Sequence, residues 1–546
     1  MTGILRTIGL AMSISGLAIG AQAQGTAQIA AQGAISPITG VELSGFTQAI
    51  AEAAASDPGI AAFYSARDYR PIWTAEADAD RRAAFFRALD LSGLQGLPQS
   101  RYDADGLRAR FASVRSERQR GELEVAMSKV FLDYAHDLSH GILKPREVIS
   151  DIKRTPMRAD PQARLSAFAA SGNPALFLRG LAPAMPQYAQ LVRARLDLEA
   201  QIAAGGYGPT VEAKKLEPGD QGPAVIALRD RLQKLGYLGR SATAVYDAEI
   251  QKAVQAFQSD QGLATDGIVG QGTLAELNRS PSERLKSILV AMERLRWMNG
   301  TDFSGRYVWV NIADYSVSVI DDGKTTFRSK TVVGQNSSDR RSPEFSDEME
   351  MMVINPAWHV PRSIVTKEYL PQLKRNPNAA SQLQLIDSRG QVVPRSAVDF
   401  SAYNAKNFPF AMKEPPSTRN ALGLVKFLFP NPWNIYLHDT PSKSLFQKES
   451  RAFSHGCIRV GQPFDLAYVL LGAQSDDPQG EFQRILNSGR ETTVPLKKHV
   501  PVHLVYFTAW PRADGHVEYR RDVYGRDATL FDALAKAGVE LEARGS

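Results

Sequence analysis

Tyr307-Val308-Trp309-Val310-Asn311-Ile312 is followed by Ser316-Val317-Ser318-Val319-Ile320 and then by Asp321-Asp322-Gly323-Lys324, ahead of a third run from Thr326 to Val333. Strict alternation would send Val308, Val310 and Ile312 to one side and Tyr307, Trp309 and Asn311 to the other, as in a strand. The Asp-Gly pair marks a hairpin turn between the later runs. A strand-rich region therefore begins near residue 301 and continues to about 530, taking in a strand from Val502 to Phe507. A polar, proline-containing stretch, about 361–416, interrupts it. That is too long for a bare loop, so an insertion subdomain or lid is expected there. Gly334, the turn Asn355-Pro356-Ala357-Trp358 and Gly423 border the insertion, where backbone shape should matter more than side-chain chemistry.

Upstream the periodicity is helical. Residues 281–300 form a connecting helix with the basic-aromatic run Met292-Glu293-Arg294-Leu295-Arg296-Trp297-Met298. Residues 211–280 read as three short helices, with Val225, Leu228, Leu232 and Leu235 on the first, Ile250, Val254 and Phe257 on the second, and Leu274 and Leu277 on the third. The break Ala203-Ala204-Gly205-Gly206-Tyr207-Gly208-Pro209 separates them from a helical scaffold, 41–210, in which Tyr188, Leu191, Val192 and Leu196 are expected to share a face. Residues 24–40 are an uncharged flexible leader, and 531–546 a C-terminal tail.

At the amino terminus Arg6, an apolar run from Ile8 to Gly20 and Ala21-Gln22-Ala23 read as a signal peptide, 1–23, cut near Ala23. The run is shorter than the roughly 20 residues a membrane span needs, so an exported protein is expected, with an uncleaved interfacial anchor as the alternative. With 43% apolar and 22% charged residues the chain is globular. Its net charge of +6, from 64 basic and 58 acidic side chains, is spread along the chain and forms no nucleic-acid arm.

The one cysteine, Cys457, lies in Ser454-His455-Gly456-Cys457-Ile458-Arg459-Val460, downstream of His438. A lone cysteine in an exported chain makes no internal disulfide. Between a histidine and an arginine it makes a poor core residue, which points to a nucleophile for acyl transfer. A thiol of pKa about 8.5 needs a base within hydrogen-bond reach. His438, which ends the alternating run Ile435-Tyr436-Leu437, and His455 are both available, and either can serve. The amides of Gly456 and Cys457 could face a developing oxyanion. Arg459 is a candidate for a substrate carboxylate or for a fold-stabilising ion pair. Trp433 and Tyr436 are candidates for the groove wall or for packing. Asp439 is too close in sequence to assign as the group that orients the base, and a backbone carbonyl could do that work. One cysteine and two nearby histidines give no closed metal site, so neither metal nor cofactor is expected.

Ser454 to Arg459, with His438 upstream, resembles the L,D-transpeptidase catalytic domain family. Gly423 with Lys426-Phe427, His438-Asp439-Thr440-Pro441 and Leu445-Phe446 extend the likeness. Gly219-Asp220, Gly222-Pro223-Ala224-Val225, Leu235-Gly236-Tyr237 and Asp266-Gly267 resemble the small peptidoglycan-binding domains. The whole layout is similar to the large periplasmic multidomain subgroup, to which Phe63-Tyr64, Tyr69-Arg70-Pro71, Trp73, Val502 to Trp510 and Asp522-Val523-Tyr524-Gly525-Arg526-Asp527 add. The resemblance implies a multidomain α+β protein: a helical scaffold, a three-helix peptidoglycan-binding-like module, and a mostly-β catalytic domain with a capping insertion. It implies Cys457 as nucleophile and His438 as base, with Ser454, His455, Gly456 and Arg459 shaping the pocket. It further implies periplasmic 3→3 cross-linking of peptidoglycan through a thioester, with tetrapeptide stems as donor and acceptor and D-alanine released. Carbapenem acylation and cell-wall synthesis proteins as partners belong to the same expectation. Hydrolysis instead of transfer, and a catalytically idle wall-binding role, are the rival readings.

Overall fold

The computed structural model describes residues 44–541. The signal peptide and leader expected at 1–40 lie outside the described residues. Among those described, no helix is long and apolar enough to cross a membrane.

The amino-terminal part is helical. Its central helix, Glu117–His140, carries Met127, Phe131 and Tyr134 into a core shared with Trp73, Phe85 and Phe168. Glu124 on that helix is fully buried and accepts from the backbone N–H of Ile72 (2.6 Å), Trp73 (3.1 Å) and Thr74 (2.9 Å) and from the Tyr64 hydroxyl (2.9 Å). A carboxylate with this many donors fixes the Ile72-Trp73-Thr74 segment. In the helix Pro186–Ala203 the buried face is Tyr188, Leu191, Arg195 and Leu198, whereas Leu196 is 37% exposed. Tyr188 and Leu191 are buried and Val192 packs partly buried against the same core, so of the expected face only Leu196 departs. Arg195 occupies the inward position because its guanidinium pairs with Glu199 at 2.7 Å and donates to the carbonyl of Gly93.

Three helices, Pro223–Lys234, Ala248–Asp260 and Gln271–Leu277, bury Val225, Leu228, Leu232, Ile250, Val254, Phe257 and Leu277 against one another. The helix Pro281–Trp297 starts on a capping box, Ser280 with Glu283, and is buried along nearly its whole length. Its arginines find internal partners. Arg296 pairs with Glu293 at 3.0 Å, and Arg294 pairs with Glu344 at 3.3 Å and Asp527 at 2.5 Å. Buried pairs such as these add little net stability, but losing one member strands a charge.

The strands are β1 Tyr307–Asn311, β2 Ser316–Asp321, β3 Lys324–Gly334, β4 Phe345–Ile354, β5 Trp358–His359, β6 Gln384–Ile386, β7 Val392–Val393, β8 Ala411–Glu414, β9 Val425–Leu428, β10 Leu437–His438, β11 Ala452–Ser454, β12 Ile458–Val460, β13 Thr492–Val505, β14 Ala509–Pro511 and β15 Val517–Tyr519. The β2–β3 turn has positive φ at Asp322 and Gly323, the geometry an Asp-Gly hairpin supplies. Nine strands form one sheet in the order β11-β3-β12-β10-β9-β4-β13-β1-β2, and β2 also pairs with β3, closing the sheet on itself. Its interior holds Val308, Val310, Val317, Val319, Met352, Phe427, Leu437, Ile458 and Val460, with Leu466, Leu470 and Phe482 from the helices Pro463–Leu471 and Pro478–Asn487. Trp309, on the other face of β1, packs in the core of the Pro281–Trp297 helix.

The 361–416 stretch is structured. β5, β8, β6 and β7 make a separate four-stranded sheet, covered by short helical turns between Arg362 and Arg375 around Leu370, Leu373, Leu385 and Met412. The carboxyl end differs from the tail expected at 531–546. The helix Arg526–Lys536 crosses that boundary, and Phe531, Leu534 and Val539 are buried, because they complete the core around the Pro281–Trp297 helix.

Candidate active site

β10 lies between β9 and β12, and the register assembles the site. Leu437 pairs with Ile458 and His438 with Arg459 in parallel, while Ile458 N–H donates to Tyr436 O at 3.1 Å. Alternation sends Leu437 and Ile458 into the core, both fully buried, and turns Tyr436, His438, Cys457 and Arg459 to the opposite face. On the other flank His438 pairs with Lys426 of β9. Lys426, His438 and Arg459 therefore stand in one row across three strands, with Cys457 and Tyr436 in the next.

The imidazole is held by backbone. His438 Nδ1 lies 2.5 Å from Asp439 O. A carbonyl only accepts, so Nδ1 carries the hydrogen and Nε2 keeps its lone pair. The Asp439 carboxylate points elsewhere, accepting from Leu424 N–H at 2.9 Å and Thr440 N–H at 2.7 Å. Gly423 makes room for it: φ is +63°, and a Cβ there would sit 2.3 Å from that carboxylate. Burial and then Arg459 hold the imidazole pKa down at about 3, so it is a neutral base at any physiological pH.

Cys457 is half-buried, and its thiol donates to Asn434 O at 3.5 Å. Burial pushes the thiol up to about 11, against the opposing pull of the Tyr436 backbone N–H, the Tyr436 phenol and Arg459. The resting pair is thus thiol and neutral imidazole. Iodoacetamide alkylation of Cys457 is accordingly expected to accelerate about tenfold per pH unit through pH 7–10, as thiolate reactivity requires. A rate already flat at pH 7 would show a thiolate–imidazolium pair instead.

The turn that carries the thiol is tied at both ends. Ser454 Oγ donates to Cys457 O at 2.6 Å and accepts from Gly456 N–H at 3.1 Å. The Gly456 amide expected at an oxyanion is therefore already engaged, because Ser454 uses it to close the turn. Ser342 Oγ donates to Gly456 O at 2.6 Å and accepts from Gly334 N–H at 3.0 Å. Arg526 donates to Ser342 O at 2.8 Å and pairs with Glu344 at 3.0 Å, so the buried charge network reaches the thiol turn.

His455 points away from this face, its Nε2 2.7 Å from Glu368 of the inserted subdomain. Glu368 also takes Arg340 at 2.7 Å. Trp358 at the root of the insertion hydrogen-bonds the Tyr436 side chain. Trp433 packs on Phe345, ring centroids 4.8 Å apart, and serves the core more than the groove. Glu368→Ala should release both partners and raise hydrogen–deuterium exchange across 362–375. Unchanged exchange would mean that the insertion is held by its other contacts. Little global stability should be lost, since partly exposed pairs contribute about 0–1 kcal/mol.

Arg459 and Lys426 are both withdrawn from water without forming an ion pair among the described residues, and Arg459 Nε is buried without a partner. Sequence reasoning placed Arg459 and quoted Lys426 only as part of a likeness. A charged residue between Val425 and Phe427 on a core strand was the available signal for the latter. Ser342, Glu368 and Trp358 left none, since tertiary packing alone brings them in.

Three segments match known families: residues 58–194 the "Scaffold domain", 221–277 the "Putative peptidoglycan binding domain", and 305–474 the "L,D-transpeptidase catalytic domain". A curated relative from Haemophilus influenzae, described as "Putative L,D-transpeptidase", is 33% identical over 225 residues, covering 41% of this chain and 45% of the relative. The match thus spans less than half the length of that relative. Two crystal structures of L,D-transpeptidases are also similar. One, from Xylanimonas cellulosilytica, has 18% identity, 54% of this chain and 100% of that chain covered, and TM-score 0.17. The other, from Stackebrandtia nassauensis, has 14% identity, 54% and 96% covered, and TM-score 0.20. At these scores the two add nothing to the fold described above.

Proposed function

We propose that this chain, which carries an L,D-transpeptidase catalytic domain with associated scaffold and peptidoglycan-binding domains, forms 3→3 peptidoglycan cross-links through a thioester on Cys457. The observation that carries the reading is the shared face of Cys457 and His438, with the imidazole oriented by backbone hydrogen bonds to Asp439 and Leu422. His438 takes the thiol proton as Sγ attacks the carbonyl of the third stem residue. The imidazolium then protonates the departing amine, and D-alanine leaves. The side-chain amine of a diaminopimelate on a second stem attacks the thioester, gives its proton to His438, and releases Sγ as thiolate, which regains that proton. A histidine that is neutral at rest suits this cycle, because it must be charged only while the tetrahedral species exists.

Lys426 and Arg459 on either side of His438 supply the cationic floor for stem carboxylates, with Arg459 offering a planar fork. The inserted subdomain, tied through Glu368 and Trp358, limits water while admitting the bulky acceptor. Ser454, His455 and Gly456 shape the turn, and Tyr436 lines the groove at the thiol. Carbapenems would acylate the same sulfur as donor mimics. The reading places the protein in the periplasm after removal of residues 1–23, with cell-wall synthesis proteins as partners.

Incubation with purified disaccharide-tetrapeptides, followed by mass spectrometry, tests this. Dimers short of one D-alanine are expected. Tripeptide monomers alone would make the enzyme a carboxypeptidase, and unchanged substrate with an intact thiol would make it a non-enzymatic wall protein.

A further inference from the structure

The turn that carries the thiol crosses over the end of β3. β11 lies on one flank of that strand, pairing Ser454 with Gly334, and β12 lies on the other, pairing Arg459 with Val332. One step further along the β12 ladder, no backbone bond joins Gly334 to Cys457 among the described residues. The Ser342 hydroxyl stands there instead, accepting from Gly334 N–H at 3.0 Å and donating to Gly456 O at 2.6 Å. A Cβ on Gly334 would collide with the Arg340 carbonyl, so the loop can bring Ser342 this close only over a glycine.

Ser342 is fully buried, and its backbone is tied as well as its side chain. Its N–H donates to Tyr524 Oη at 3.3 Å, and its carbonyl accepts from Arg526 at 2.8 Å. Tyr524 Oη in turn donates to Gly334 O at 2.6 Å. The Arg526 guanidinium lies over the Tyr524 ring, 4.9 Å from its centroid, and pairs with buried Glu344 at 3.0 Å. A satisfied buried network of this kind is rigid, so the hydroxyl has little freedom to leave Gly456.

Gly456 O and Cys457 N–H belong to one peptide unit. No peptide bond among the described residues is cis, so the two groups point in opposite directions. Holding the carbonyl toward Ser342 therefore turns the Cys457 amide away from it, and that amide has no acceptor among the described residues. Gly456, at φ +116°, has no side chain to limit rotation of the plane, so the restraint has to come from outside. An unbonded N–H on the nucleophile's own residue is placed to meet the oxyanion that forms when Sγ attacks a carbonyl.

We propose that Ser342 is a positioning residue for acyl transfer: it sets the plane of the Gly456–Cys457 peptide so that Cys457 N–H meets the oxyanion, while Tyr524 and Arg526 hold Ser342 in place. The assignment rests on the acyl-transfer role of Cys457 proposed above. The thiol proton passes to His438 as Sγ adds to the carbonyl, and the carbonyl electron pair moves onto oxygen beside the amide. Return of that pair expels the leaving group, which takes the proton from His438.

The test compares two reactions of the same sulfur in the full chain. Iodoacetamide alkylates by displacement and forms no oxyanion, whereas p-nitrophenyl acetate acylates through one. Ser342→Ala is expected to slow acetylation of Cys457 by about tenfold or more, read by intact mass against a Cys457→Ala background; losing such a donor outright costs about 10²–10³-fold, and here it is misaimed, not removed. Alkylation at the same pH should stay within about twofold, since it depends on the thiolate alone. Ser342→Thr keeps the hydroxyl and should recover part of the loss. If Ser342→Ala melts early, Tyr524→Phe carries the same comparison, because it keeps the Ser342 hydroxyl but frees its backbone. With tetrapeptide as donor the loss should fall on kcat and leave KM. Equal slowing of both reactions would make Ser342 a mere support of the turn, and unchanged acetylation would show that the amide needs no such restraint; either overturns the assignment. A native chain that is acetylated on Cys457 in a Ser342-dependent way but makes no 3→3 dimers would end the cross-linking reading and leave the role of Ser342 standing. Absence of acetylation on native Cys457 would overturn the assignment, and dimers formed by that chain would keep the cross-linking reading.

Discussion

Cys457→Ala is expected to lower 3→3 dimer formation by more than ~10⁴-fold, to the background without enzyme, because removing a covalent nucleophile removes the reaction path and not merely a binding contact. The same variant should gain no mass on incubation with a carbapenem. The fold should survive, since the sulfur only borders the sheet interior, Asn434, whose carbonyl it meets, is exposed, and Tyr436 keeps its hydrogen bond with Trp358. Dimers formed by a folded Cys457→Ala chain at anything near the native rate would remove the thiol from the mechanism.

His438→Ala is expected to slow acylation by ~10²–10⁴-fold, the usual range for losing a general base. The upper end is favoured here. With the thiol pushed up to about 11, only about one molecule in 10⁴ is thiolate at pH 7 without help. The residual rate should therefore climb about tenfold per pH unit, whereas the native rate should change little from pH 6 to 9, because an imidazole with pKa about 3 is already unprotonated throughout. His438→Ala acylating at full rate, or showing the native pH profile, would pass the role to another group. His455 is the other histidine in the sequence motif, but its Nε2 is occupied by Glu368, and His455→Ala should leave the alkaline profile unaltered.

The strand-rich region, its hairpin and the helical segments were legible in the sequence because each carries its own period. Val308, Val310 and Ile312 announce a buried face by alternation, and Asp322-Gly323 announces a turn by its need for positive φ. Leu196 misled because an arginine with internal partners, Arg195, stood at the inward position. Apolarity alone does not reveal that exchange. The segment after 530 looked like a tail because its burial depends on the distant helix Pro281–Trp297. At the site, the motif named the candidate residues and the strand ladder gave their geometry. Sequence spacing could not say that β10 sits between β9 and β12, and so could not foresee the row Lys426, His438, Arg459. Nor could it show that Ser454 would take the Gly456 amide. Such contacts arise from tertiary closure and leave no local trace.

The most direct measurement is rapid-quench mass spectrometry of the intact protein during turnover of a disaccharide-tetrapeptide, followed by digestion to locate the adduct. The account predicts a transient species carrying the substrate less one D-alanine, on Cys457 and labile to hydroxylamine as a thioester is. Dimers accumulating with no acyl group ever found on that sulfur would contradict it.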